Sequence, residues 1–555
     1  MARNKLKIGL LMNSLDIPLW EYRMLKRINQ SDHFSIELLI LNNTRKKEFS
    51  TFNKIKNNFS NILLIILLKL EKLIFKVNPD ASKIKNSKKL LNNIYTIKVK
   101  PISTKFFDRF QLSDIQNIKN CNLDVIVRMG FKILKGEILN CAKYGVWSYH
   151  HGDNNVNRGG PAGHWEVIEG KRLTGTILQI LSEELDNGKI IYKSFSSTDK
   201  NSIMRNRNKL LMKSISFLPR KLEDLYMLGP EVFLKDINKI SSDINIYSNK
   251  LYRKSALNNW VIIKYFLNFI YRNIKNRIYN ILYIEQWCIL FQVGDDISSS
   301  IWKYKKIIPP KDRFYADPFI LKEDETFYIF IEEMSFKSAK GFISVLEIDK
   351  RGNYTSPKKI IEKDYHLSFP SVFKNGDDYY MIPESINNGT IELYKCMKFP
   401  YEWEFHMILI DNIKAVDSIV FYYKSKYWLF TNLVENEGSS PHEELFLFFS
   451  NSLESIDWRS HPKNPIISDV RKSRSAGNIF IRGGRIFRPS QDCSKRYGYG
   501  VKVNEIITLN EYEYEENEIS SIKPDWDDNV KGVHTFNYDG ELTIIDALVK
   551  KRRLF

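Results

Sequence analysis

The sequence predicts a two-part chain: an α/β domain built on a parallel sheet, followed by an all-β five-bladed β-propeller. Three observations carry this. A buried-type strand, a helix and a second strand follow one another near the N-terminus, over Leu6–Met12, Trp20–Ile28 and Ser35–Leu41. From about Trp302 the texture changes to short aromatic and β-branched runs between Gly, Asn and Asp turns. Five such units are anchored by Phe319, Phe373, Phe421, Phe480 and Phe536, spaced by 54, 48, 59 and 56 residues. A near-regular all-β repeat of about 50 residues is the pattern of propeller blades.

The chain is long enough for two or more domains at 555 residues, and its 43% apolar and 27% charged residues are those of a globular protein. A formal net charge of +19 favours anionic partners, such as phosphate-linked substrates or an acidic membrane face. Lys, Asn and Ile are abundant everywhere, so charge alone discriminates little. Cys121, Cys141, Cys288, Cys396 and Cys493 are scattered singly with no CxxC pair, so no metal site or disulfide framework is indicated. Reduced thiols and a cytoplasmic setting are the simplest expectation. The first apolar run reads as a strand rather than a signal peptide.

Within the first domain, 1–245, no GxGxxG follows the first strand, so no dinucleotide site is signalled. Residues 43–89 read as an insertion rich in Lys and Asn. Its apolar run, Ile62–Leu68, is too short to span a bilayer. It is either a helix packed on the domain, which is the expectation, or an interfacial helix. Asn93–Lys98, Leu123–Val127 and Thr174–Leu181 read as further strands, and Asn201–Leu228 as a helix ended by Gly229-Pro230.

The stretch Gly145–Gly188 says most about function. An apolar strand end runs into Ser148-Tyr149-His150-His151, then a polar Gly-rich loop, a helix-like segment over Ala162–Glu169, a β-rich run, and the turn Leu185-Asp186-Asn187-Gly188. A His on a strand end with an Asp on a later turn suits proton handling, because the Asp can fix the tautomer and stabilise the charged ring. Asp-Asn-Gly is also ordinary turn chemistry, so the residues alone leave both readings open.

This stretch resembles the formyltransferase family, which includes methionyl-tRNA, glycinamide-ribonucleotide and sugar-amine N-formyltransferases. The family carries a strand ending Asn-x-His, an Arg-Gly loop, and a Thr-Gly strand running to Leu-Asp-x-Gly. Here His150, Arg158-Gly159, Thr174-Gly175 and Leu185-Asp186-Asn187-Gly188 stand at those places. Upstream, Asp124–Leu134 looks like the strand and turn that shape the family's folate pocket. The resemblance covers roughly residues 5–200. It implies a Rossmann-like formyltransferase sheet and 10-formyltetrahydrofolate as formyl donor. It implies His150 and Asp186 as catalytic residues, a cofactor-binding set of Met129, Gly130, Phe131 and Leu185, and substrate binding at Arg158 and Gly159. There is one departure: the family Asn is Ser148, a shorter donor to a developing oxyanion. Loss of one such donor typically costs about two to three powers of ten in rate. Ser148 is the provisional replacement.

Residues 246–291 read as a connector. Trp260, Ile263, Phe266, Ile270, Ile274, Ile278 and Ile281 recur at helical spacing with Lys264, Arg272, Lys275 and Arg277 between them. A helix joining two domains and a peripheral membrane contact through 250–285, at the inner membrane face, are both open.

Residues 292–555 read as the propeller. The polar residue before each Phe, at Asp317, Ser371, Asn478 and His534, is expected to face a central channel, with Glu332, Glu384, Asn432, Arg488 and Asp546 ending the next strands. Such a ring suits polyhydroxyl ligands. The Ala316-Asp317-Pro318-Phe319 motif resembles the five-bladed glycosidase-like superfamily. Arg485–Gly498 resembles the N-terminal domain of plant glucosamine inositolphosphorylceramide transferases. The expected sugar-binding residues are Asp317, Glu384, Arg488 and Asp492; a structural Arg488–Asp492 pair closing a blade is the alternative.

Together these imply formyl transfer to the amine of a nucleotide- or lipid-phosphate-linked amino sugar, in surface polysaccharide synthesis. A methionyl-tRNA formyltransferase is the same-chemistry rival, disfavoured because that family carries a small β-barrel in place of a propeller, and nucleic acid is not an expected partner. The other rivals are a glycan-processing or glycosyl-transferring enzyme acting through the propeller, and a glycan-binding protein with an inactive first domain.

Overall fold

The computed structural model describes residues 4–44, 62–156, 161–184, 187–242, 259–298 and 300–553. The chain divides into two compact units. The first runs to Tyr271 and includes Glu435–Ser439; the second is the remainder.

The first unit is built on seven strands: β1 (Leu6–Met12), β2 (Phe34–Asn42), β3 (Tyr95–Val99), β4 (Val125–Arg128), β5 (Val146–His150), β6 (Leu173–Ile180) and β7 (Lys189–Ser197). Their order across the sheet is β7-β6-β5-β4-β1-β2-β3. Strands β5, β4, β1, β2 and β3 are parallel, and β6 and β7 are added antiparallel. Central β1 is an almost unbroken apolar run because both its faces are covered. Helices α1 (Leu19–Asn29), α2 (Ile62–Ile74), α3 (Ile203–Ser214) and α4 (Phe217–Leu228) belong to the same unit. Met24, Leu211 and Leu218 from these helices pack with Leu10, Val127 and Trp147 on one sheet face. Leu11, Leu38, Ile126 and Val146 belong to the core on the other.

The single helix expected over Asn201–Leu228 is two helices. Tyr149, from β5, supplies the reason. Its hydroxyl donates to the Ser214 carbonyl (2.7 Å) and accepts from the Leu218 N–H (2.9 Å). Those are the two groups that a continuous helix would join to each other. The insertion helix α2 docks through the buried Glu71, whose carboxylate accepts from Ser202 Oγ (2.8 Å), Ile203 N (3.2 Å) and Met204 N (2.9 Å) at the start of α3. A carboxylate is favoured at this end of a helix, where unpaired N–H groups converge. A long helix, α5 (Asn259–Leu282), follows.

The second unit is a five-bladed propeller. Four blades are four-stranded sheets formed in sequence, over Arg313–Ile361, Ser368–Ile410, Ala415–Ser460 and Phe480–Ile522. The fifth sheet combines both ends of the unit: Tyr283–Val293 and Lys305–Ile307 pair with the C-terminal Leu542–Arg552, which also holds Val530–Gly532 and Phe536–Tyr538. The propeller's first strand thus begins at Tyr283, directly after α5.

Each anchoring Phe falls on the first strand of its repeat, but the register is not uniform. The first strands of blades one to three are interrupted by a bulge, between Ala316 and Phe319, Ser368 and Ser371, and Val416 and Ile419. Asp317, Phe369 and Asp417 sit in these bulges with left-handed backbone, at φ of 49°, 46° and 50°. Phe369 is therefore the blade-two counterpart of Asp317. Ser371, expected in that role, lies two residues on and donates instead to Asn478 Oδ1 (3.2 Å).

Candidate functional sites

In the first unit the candidate site gathers at the end of β5. Ser148 and His150 are two residues apart on the strand and so share a face. His150 is half-buried opposite Ile177 of β6. Its neighbour His151 turns to the other side, stacking on Tyr149 (ring centroids 5.5 Å apart) and meeting Trp20 edge-on (5.3 Å). Burial, with His150 and Arg207 nearby, pulls His151 down to about 3. It is a neutral packing residue. The loop after it closes onto β6 because Gly175 has no side chain: a Cβ there would lie 2.9 Å from the Asp153 backbone nitrogen. Lys193 then pairs with Asp153 at 2.8 Å.

The turn after β4 is the second part. The expected cofactor residues Met129, Gly130 and Phe131 sit there, and the chain must pass close to the end of β1. A Cβ on Gly130 would lie 2.6 Å from Asn13 N, and Phe131 takes φ 64°. Asn13 Oδ1 accepts from Phe131 N (3.0 Å), and the buried Asp108 accepts from Lys132 N (2.8 Å). Arg128 ties the turn to β5. It donates to Phe131 O (3.2 Å), Lys132 O (3.1 Å) and Ser148 Oγ (3.2 Å).

Ser148 is 2% exposed, and its hydroxyl donates to the Tyr149 carbonyl at 3.3 Å while accepting from Arg128. Both hydroxyl roles are engaged, so it is not poised as a free donor. Asn13, Asp108 and Arg128 went unnoticed in the sequence. The available signal was an Arg closing the otherwise apolar Val125-Ile126-Val127.

Arg158, Gly159, Leu185 and Asp186 lie outside the described residues. At the end of β6, Ile180 lies opposite Trp147, and Leu181 N bonds to Val146 O (2.8 Å). The chain leaves β6 three residues below the level of His150, roughly 10 Å along the strand.

The second unit holds a cluster of five carboxylates: Asp317, Glu332, Asp417 and Asp546, all buried, and the partly buried Glu384. Three basic side chains contact these carboxylates, Arg474, His534 and His366, the last with Nε2 3.3 Å from Glu332 Oε1. Arg474, itself buried, donates to Asp417 from Nε (2.5 Å) and Nη2 (3.0 Å), reaches Glu384 at 3.5 Å and contacts His442 Nδ1 at 2.7 Å. Gln491 adds a bond to Asp417 at 3.1 Å. His534 pairs with Asp546 through Nδ1, lies 3.7 Å from Asp317 and stacks on Trp287 at 3.9 Å. Burial opposes charge on that ring, but Asp546 and Asp317 outweigh it and raise its pKa.

Asp317 accepts from Thr535 Oγ1 (2.7 Å) and Phe369 N (3.3 Å), and burial lifts it to about 6. Burial raises Glu332 and Glu384 well above the usual carboxylate range, reinforced for Glu332 by Asp317 and for Glu384 by Asp417. The cluster can therefore offer protonated carboxyls as donors beside ion-paired ones as acceptors, a set matched to hydroxyl-rich ligands. Asp317, His534 and Asp546 also converge closely enough to hold a cation. However, Asp546 already accepts from His534 N (2.8 Å), Thr535 N (3.0 Å) and Asp317 N (3.2 Å), which makes it a latch between the first and fifth blades.

Asp317 and Glu384 are brought into this cluster; Arg488 and Asp492 are not. Arg488 is fully buried inside blade four and binds Glu516 of that blade's last strand through Nε (2.8 Å) and Nη2 (2.9 Å), with Lys472 O as a further acceptor (2.8 Å). Its partner is Glu516, and the pair closes the blade rather than facing a ligand. Asp492 Oδ1 accepts from Ser494 N at 2.9 Å, a local turn. Asp417, which does join the cluster, was missed because the Phe-based alignment hid the bulge; Arg474, which also joins it, lies in the irregular segment before blade four and in no strand of the repeat.

Comparison with known proteins separates the two parts. Residues 305–542 match the family described as glucosamine inositolphosphorylceramide transferase 1, N-terminal. The rice protein named glucosamine inositolphosphorylceramide transferase 1 (Oryza sativa subsp. japonica) is 34% identical over 206 residues, 37% of this chain and 27% of the relative. The chain thus spans about a quarter of the length of the first curated relatives it matches. A methionyl-tRNA formyltransferase from Prochlorococcus marinus is 28% identical over 149 residues, 27% of this chain and 41% of the relative. A bifunctional polymyxin resistance protein, ArnA, from Wigglesworthia glossinidia brevipalpis is 27% identical over 179 residues, 31% and 25% of the two chains.

The chain joins a formyltransferase-like domain to a propeller resembling the plant transferases' N-terminal region.

Proposed function

We propose that the first unit transfers a formyl group from 10-formyltetrahydrofolate to the amine of an amino sugar carried on a nucleotide or lipid phosphate, for a surface polysaccharide. The observation that carries this reading is His150 at the open end of β5, beside a turn held by Arg128, Asn13 and Gly130. The turn fits a planar, hydrogen-bonding cofactor. The Phe131 and Lys132 backbone groups are occupied internally, whereas Gly130 N–H has no hydrogen-bond partner among the described residues, and half-buried Met129 lies next to it. Met129, Gly130, Phe131 and Leu185 would hold the folate, which when bound supplies the activated formyl carbon.

In this reading His150 takes or lends a proton as the amine attacks and donates to the charge developing on the formyl oxygen. Asp186 orients His150. Ser148 acts through Arg128 by fixing the guanidinium and hence the turn, and Arg158 and Gly159 meet the acceptor. The test is folate binding by the full chain, followed by formyl transfer to a panel of amino-sugar nucleotides. Absence of folate binding sinks the reading.

A second reading is supported by the buried carboxylate cluster: the propeller binds or processes the glycan, with Asp317, Glu384, Asp417 and Arg474 as its contacts. Binding of sugars that survives loss of His150 but not of Glu384 favours it.

A further inference from the structure

In the first unit, α2 and the Asn259–Tyr271 part of α5 have outer faces of the wrong kind for water. α2 and the first half of α5 lie side by side. Leu63, Leu64, Leu67 and Leu68 share a small core with Val261, Ile262 and Tyr265, and Leu63 N donates to Asn259 Oδ1 at 3.4 Å. That core uses up one face of each helix. The opposite faces would ordinarily be polar. On α2 they carry Ile65, Ile66, Leu70, Leu73 and Ile74, with Leu73 77% exposed. On α5 they carry Trp260, Ile263, Phe266, Leu267, Ile270 and Tyr271, with Trp260 79% exposed. Scattered exposed apolar residues need no explanation, but two adjacent helices both apolar on the outside form a patch that marks an interaction surface.

The charges say which kind. α5 contains no Asp or Glu over its 24 residues, and its charged side chains are Lys264, Arg272, Lys275 and Arg277. On α2 the only acid, Glu71, is turned inward to cap α3, while Lys69 and Lys72 are exposed. Apolar and aromatic side chains interleaved with lysine and arginine fit the boundary between acyl chains and anionic headgroups. A protein partner would not require both helices to expose charge of one sign. No helix among the described residues is long and apolar enough to cross a membrane. The fit is to a helix pair lying in the interface.

We propose that α2 and α5 together form a docking face for an anionic lipid surface, seating the first unit on a membrane without spanning it. This rests on the helix pair and not on the formyl-transfer reading, and its test does not read activity.

The full chain is mixed with phosphatidylcholine vesicles, with or without about 30% phosphatidylglycerol, and sedimented. The bound fraction is expected to rise at least ten-fold with the anionic lipid and to fall at high salt. Leu70→Glu with Leu73→Glu, and separately Trp260→Glu with Leu267→Glu, should each lower binding ten-fold or more with the near-UV spectrum unchanged. Lys72→Gln with Lys264→Gln keeps the apolar face and should reduce only the preference for anionic lipid, which guards against misfolding in the acidic variants. Equal partitioning to neutral and anionic vesicles, or wild-type binding by either apolar-face variant, overturns the proposal. So does a lipid-independent oligomer dissolved by the same changes, which would show that a second copy covers the face.

Discussion

Arg128 Nη1 donates to Ser148 Oγ across 3.2 Å, joining the end of β4 to the strand that carries His150. The same guanidinium holds the carbonyls of Phe131 and Lys132. The residue that departs from the formyltransferase pattern is thus coupled to the turn expected to hold folate.

Arg128→Ala should destabilise the first unit by about 1–3 kcal/mol, since three carbonyl or hydroxyl acceptors lose a charged donor. Arg128→Lys should not rescue it, because an ammonium cannot reach three divergent acceptors at once. Ser148→Asn alone should crowd the buried position, whereas Ser148→Asn with Arg128→Ala should recover folding. Thermal melts of the four proteins check this; equal melting temperatures would remove Arg128 from the account.

His150→Ala should reduce formyl transfer by about 10²–10⁴-fold while leaving folate affinity within a few-fold. Single-turnover rates and equilibrium titration separate the two. A loss of folate binding equal to the loss of rate would make His150 a binding residue.

Arg474→Met should cost the propeller about 3–5 kcal/mol, because buried Asp417 is left without its cation and Glu384 loses the same contact. Adding Asp417→Asn should restore part of it, since the two positions interact directly. Urea denaturation of the single and double variants measures the coupling.

Two groups should give opposite pH slopes. His151 is lowered from 6.5 to about 3, so its contribution is complete above pH 6.5 and is lost as pH falls toward 3. Asp317 is raised from 3.8 to about 6, so its contribution is complete below pH 3.8 and is lost as pH rises through 6. His151→Phe should flatten the acid side of the melting profile, and Asp317→Asn should flatten the fall between pH 4 and 6.

The legible parts of the fold were those set by local patterns. Strand β1 and α1 follow apolar runs that the sheet and its helix layer require. The five Phe anchors mark five first strands, although only Phe319 and Phe536 are fully buried. Tyr149 was illegible as the cause of the α3–α4 break, since its hydroxyl acts 65 residues away. At the sites, repeat position pointed to Asp317 and Glu384, and both lie in the carboxylate cluster. Asp417 was not legible, because a bulge shifts it against the apolar anchor, and Arg474 was not, because it lies between strands, outside the repeat pattern. Arg488 was misread for a related reason: an Arg on an inner strand looks available until the outer strand's Glu516 is placed beside it.

The fifth blade carries a consequence for synthesis. Its strand Tyr283–Val293 pairs over eleven positions with Leu542–Arg552, so it leaves the ribosome some 250 residues before its partner. At ~5–20 residues per second that is on the order of 10–50 s. Throughout that interval Cys288, Leu290 and Phe291 lie on an open strand edge, the kind of surface that invites pairing with another chain. The nascent ring is most vulnerable at its first strand, and a chaperone that shields this segment until translation ends would govern how much protein reaches the folded state.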